Sequence, residues 1–135
     1  MGIYINDERK LFSLTTENTE YAFCIDNQGL VRHLYWGNKI NSPEDFDIPV
    51  LTEVSTNDPV YEITKEEYPV YGGLRYKENC LKVSFEDKTR DIVYKYVGYC
   101  INKNELVINL KDAHYNIEID LHYIVLEDVD LIERY

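Results

Sequence analysis

The chain holds 135 residues, 44% of them hydrophobic and 29% charged, which suits one hydrophobic core and is too apolar for a disordered segment. A net charge of −11 repels polyanions, so nucleic acid is not an expected partner, and no stretch approaches the ~18 apolar residues of a membrane-spanning helix, so neither is a membrane. Thirteen tyrosines, against four phenylalanines and one methionine, favour pleated and half-buried surfaces over helices.

The opening Met1 to Glu8 has no cationic start followed by an apolar run, and Asn6 stands where a myristoylation signal carries Ser or Thr. Next, Tyr21, Phe23 and Ile25 alternate with Glu20 and Asp26, Asn27-Gln28-Gly29 supplies a turn, and Leu30, Arg32 and Leu34 resume the alternation. This reads as a β-hairpin. From Gly37 to Tyr71 the pattern lapses into an irregular excursion carrying Pro43, Pro49, Pro59 and Pro69. An excursion that long in a small domain is expected to contact something else.

Beyond it, Arg75, Lys77 and Lys82 surround Glu78, the nearest approach to a basic patch, and read as solvated surface. Leu81, Val83 and Phe85 alternate with Lys82, Ser84 and Glu86, which predicts a strand, followed by a turn at residues 86–89. A turn at Asn102-Lys103-Asn104 leads into Leu106, Ile108 and Leu110, and then Ile117, Ile119, Leu121, Tyr123 and Val125 alternate with polar neighbours. Residues 127–135 begin another strand-like segment, with Val129, Leu131 and Ile132 toward a core and no partner strand after it. That ending predicts that the chain is the N-terminal portion of a longer protein. Short strands with tight turns predict an all-β, antiparallel β-sandwich in a single domain over 1–135.

Chemistry is sparse. His33, His114 and His122 lie far apart, none at ligand spacing with a Cys, and Cys24, Cys80 and Cys100 form no C-x-x-C pair. No metal site or disulfide framework is expected, the thiols read as reduced, and the expected compartment is the cytoplasm. Glu127, Asp128 and Asp130 lack the glycine and terminal acid of a calcium loop. Glu66 and Glu67 are adjacent, and in an extended segment adjacent side chains point to opposite faces, so they cannot act on one bond. No nucleophile elbow, phosphate loop or dinucleotide turn is present. Neither a catalytic residue nor a cofactor is expected of this chain.

Several strings are nevertheless specific. Asn6 to Leu14 with Asn18 to Tyr21, then Gly29 to Ile40 with its Arg32-His33-Leu34-Tyr35-Trp36-Gly37 centre, then Glu67-Tyr68-Pro69 and Tyr71-Gly72, and finally Leu121 to Arg134, occur in an order and spacing that resemble the N-terminal domain of α-galactosidases of glycoside hydrolase family 36. Between them, Tyr76, Lys77, Glu78 and Leu81 match a further family stretch, in which Arg75 stands where the family carries an acid and Asn79 where it carries proline.

The resemblance implies part of a supersandwich placed before a (β/α)8 barrel, with oligomer contacts made partly by this domain. It implies a retaining mechanism whose nucleophile and acid/base aspartates lie on the barrel, so neither is in this chain. It also makes Arg75, Tyr76 and Lys77 candidates for a substrate rim, against the plainer reading of a hairpin turn packed under the excursion. Arg75 cannot accept the hydrogen bonds an acid would. Two rival roles remain: a free-standing carbohydrate-binding module, with Trp36 and Tyr35 stacking on a galactoside, and an interaction domain using the excursion and an unpaired sheet edge.

Overall fold

A computed structural model describes residues 2–40, 42–50, 65–72 and 78–135. Eight strands form two antiparallel meanders. The first contains β1 (Ile3–Asn6), β2 (Leu11–Thr15), β3 (Thr19–Ile25) and β4 (Val31–Asn38), in that order. The second contains β5 (Tyr94–Asn102), β6 (Glu105–Asp112), β7 (Glu118–Leu126) and β8 (Leu131–Arg134). The sandwich architecture expected from alternation is therefore the one observed.

The hairpin read at residues 20–34 is β3–β4. Its turn closes because Asp26 Oδ1 accepts the amides of Gln28 and Leu30 at 2.8 and 2.9 Å, while Gly29 takes a φ of 80°. Register places Phe12, Leu14, Tyr21, Phe23 and Ile25 on the face toward the second sheet. There they meet Leu106, Ile108, Leu121, Tyr123 and Val125. Phe23 stacks on Phe12 at 5.2 Å and on Tyr123 at 4.9 Å, which carries the core across the gap between the sheets.

The outer face of the first sheet is covered as well, so β2 reads buried along its length rather than alternating. The excursion does this. Of its described residues, 42–50 hold a single 3-10 turn at Pro43–Asp45. Arg9 donates to the carbonyls of Glu44 and Phe46, and Ile40 N donates to Glu20 Oε2 at 2.8 Å, while Ser13 fills the other oxygen of that buried acid at 2.5 Å.

Two sequence expectations need correction, and one strand was not expected. Residues 81–86 form no strand. Only Leu81 makes a bridge, to Val70, while Val83 and Phe85 pack on the core from an irregular segment that turns at Phe85–Thr89. Conversely, β5 gives no clean alternation, because the register shifts between Tyr96 and Gly98 and leaves Val97 exposed. Toward the chain's end Val129, in the 3-10 turn before β8, and Leu131 are exposed, and Ile132 is the side chain that reaches the core.

Candidate functional site

The polar centre of the molecule is Glu67. Glu66 and Glu67 run beside β4, where Glu67 N donates to Val31 O at 3.0 Å and Arg32 bridges Glu66. Being adjacent in an extended segment, the two acids part company. Glu66 goes to the outer face, where Arg32, held at 2.7 Å by Asp26, also meets it at 3.1 Å. Glu67 goes inward, its side chain 1% exposed.

Inside, four elements converge on Glu67. Tyr21 of β3 donates its hydroxyl between both oxygens at 2.6 and 2.7 Å, and Tyr123 of β7 reaches Oε1 at 2.9 Å. Arg134 of β8 donates Nη1 to Oε1 and to the Glu67 carbonyl, each at 2.9 Å. His33 of β4 brings Nδ1 to 3.5 Å from Oε2, its ring against Tyr21 at 5.0 Å. Burial by itself would push the Glu67 carboxyl up, but the hydrogen bonds from His33, Tyr21 and Tyr123, joined by the Arg134 charge, outweigh it and hold the group below the usual carboxylate range. The same burial, with the facing carboxylate, pushes the Tyr21 and Tyr123 phenols well above theirs.

This arrangement ties β3, β4, β7 and β8 to one acid. Oε1 accepts from Tyr21, Tyr123 and Arg134, which fills its lone pairs, and the side chain is 1% exposed, the pattern of a structural carboxylate. Sequence reasoning placed Tyr21 and Tyr123 in the core but missed their partner. The available signal was the hydroxyl itself, since a tyrosine at a dry position needs an acceptor, and Glu67 stands in an extended, Pro-flanked segment.

The remaining candidates separate. Trp36 lies on β4 opposite Tyr21 and is 75% exposed. Tyr35, on the other face, is half-buried, with its hydroxyl donated to Asn38 O at 2.8 Å and its ring 5.5 Å from Phe46. That position takes Tyr35 out of any shared stacking platform with Trp36. Arg75, Tyr76 and Lys77 lie outside the described residues. Of the other histidines, His122 pairs with Glu105 at 2.8 Å and stacks on Tyr135, while His114 donates its amide to Asp112. Among the described residues no cluster of His, Cys, Asp or Glu could hold a metal ion. Asp130 accepts the Thr16 hydroxyl and the Asn18 amide.

Two four-stranded antiparallel meanders packed around a buried carboxylate define a β-sandwich domain. More particularly, the chain belongs to the glycosyl hydrolase family 36 N-terminal domain family, whose profile it matches over residues 29–135. It is 27% identical to the bifunctional alpha-galactosidase/sucrose kinase AgaSK of Mediterraneibacter gnavus, over an alignment of 163 positions covering 99% of this chain and 17% of that protein. The solved galactosidase domain of AgaSK superposes with a TM-score of 0.80 at 25% identity, covering 98% of this chain and 22% of the other. The GH36 alpha-galactosidase AgaB from Geobacillus stearothermophilus shares the fold with a TM-score of 0.83 at 23% identity, over 99% of this chain and 22% of its own. The chain thus spans about a fifth of the length of these relatives.

Proposed function

We propose that the chain is the non-catalytic N-terminal domain of a cytoplasmic α-galactosidase, packing on a downstream (β/α)8 barrel and helping subunits to assemble. Family membership, together with a central acid sealed from solvent, supports this reading. In the assembled enzyme Arg75, Tyr76 and Lys77 are proposed to line the substrate rim. There, Arg75→Ala and Lys77→Ala should raise KM more than they lower kcat. The 135-residue chain alone should not hydrolyse p-nitrophenyl α-galactoside above buffer, and its sedimentation coefficient should rise with concentration. Saturable turnover by the isolated chain would defeat the non-catalytic part, and a monomer at every concentration would defeat the assembly part.

A second reading, a carbohydrate-binding module, is favoured by one observation. The single tryptophan of the chain is not packed between the sheets but stands 75% exposed.

A further inference from the structure

Trp36 pairs with Tyr21 across β3 and β4, so its side chain is on the face of the first sheet that looks toward the second. The second sheet does not cover it. The indole stands instead on a groove shared with Thr19, Asp130, Leu131, Ile132 and Arg134. It is carried by a paired strand, so an aromatic plate is presented at little conformational cost.

The polar groups beside the plate are fixed. Arg134 is anchored through Nη1 to Glu67, while its Nε and Nη2 make no hydrogen bond among the described residues. Asp130 is held by Thr16 and Asn18 through Oδ1, and its Oδ2 receives only a 3.5 Å contact from Asn18 Nδ2. The groove therefore combines an apolar plate, a planar pair of donors and an acceptor oxygen. A pyranoside fits that set, because its C–H face can lie on the indole while neighbouring hydroxyls accept from Arg134 and donate to Asp130. An anionic ligand would meet the Asp130 charge within a chain of net charge −11. A purely apolar segment would bury Arg134 and Asp130 without partners.

We propose that the groove at Trp36 is a binding site for a neutral galactopyranoside, whose axial 4-hydroxyl leaves one apolar face for the indole. The site rests on the carbohydrate reading above and gives that reading a location.

Because the chain has one tryptophan, its emission reports on this groove alone. Methyl α-galactoside should change the emission of the 135-residue chain saturably, with glycerol at equal concentration as the control. Saturation-transfer NMR on the sugar should give a signal that Trp36→Ala reduces to background and Trp36→Tyr largely keeps. Since the side chain is mostly in solvent, both variants should fold, as checked by circular dichroism. A transfer signal unchanged in Trp36→Ala would remove the site while leaving sugar binding elsewhere on the domain. No saturable signal with the unsubstituted chain would remove both. An emission shift produced by protein concentration alone would show that a second polypeptide covers the groove, and would also overturn the proposal.

Discussion

A carboxylate taken out of water costs several kcal/mol unless its lone pairs are filled, and Glu67 fills them with two phenols and a guanidinium. Glu67→Gln keeps the shape but weakens the charged hydrogen bonds to Arg134, whose guanidinium is 39% exposed, and should cost about 1.5–3 kcal/mol in urea unfolding. Tyr123→Phe removes one charged hydrogen bond and should cost about 1.5–3 kcal/mol. The pH dependence has a definite sign. The folded pKa of Glu67 lies below its unfolded value of about 4.3, so its contribution is complete above that pH and is lost as pH falls through the folded value. Between pH 6 and 3 the unsubstituted chain should therefore lose more stability than Glu67→Gln, and an equal loss in both would contradict the charge-clamp account. At the alkaline end, Tyr21 and Tyr123 should ionise only as the chain unfolds, giving a cooperative late step in absorbance titration.

Strands with an unbroken apolar alternation or a turn signal beside them were legible from the sequence, and β5 was not. β6 and β7 have one dry face and one wet face, so Leu106 to Leu110 and Ile117 to Val125 could be read as strands directly. β5 escaped notice because its bulge at Val97-Gly98 breaks the period, and 81–86 misled because Val83 and Phe85 reach the core without a ladder partner. Alternation reports burial, and burial needs no hydrogen-bonded neighbour. The Glu67 clamp was illegible for a different reason, since its members come from four elements and meet only through tertiary packing. The segment that carries Glu67 depends on one close passage. Gly72 donates its amide to Ile92 O at 3.0 Å, and a methyl on Gly72 would run into that same carbonyl. Gly72→Ala should therefore destabilise by about 1–3 kcal/mol through overpacking, read as a lower urea midpoint. A neutral result would mean that this passage gives way freely.

At the scale of the whole molecule, the two meanders end in outer strands whose apolar groups point different ways. On β5, Val97 and Ile101 are exposed, and among the described residues no strand pairs with its outer side. On the opposite sheet Trp36 stands over its groove. An open edge with exposed β-branched side chains invites pairing with another chain, and a lysine on such an edge opposes it by placing an unpaired charge where a neighbour would bury it. Val97→Lys should therefore weaken concentration-dependent association in sedimentation velocity, with little effect on the urea midpoint because the side chain is already in solvent. Acrylamide quenching of Trp36 should stay the same from dilute to associated samples, since the β5 edge and the groove are separate surfaces. Association that survives Val97→Lys and shields Trp36 from acrylamide would relocate the contact to the groove, and the assembly edge and the sugar site would then be wrong together.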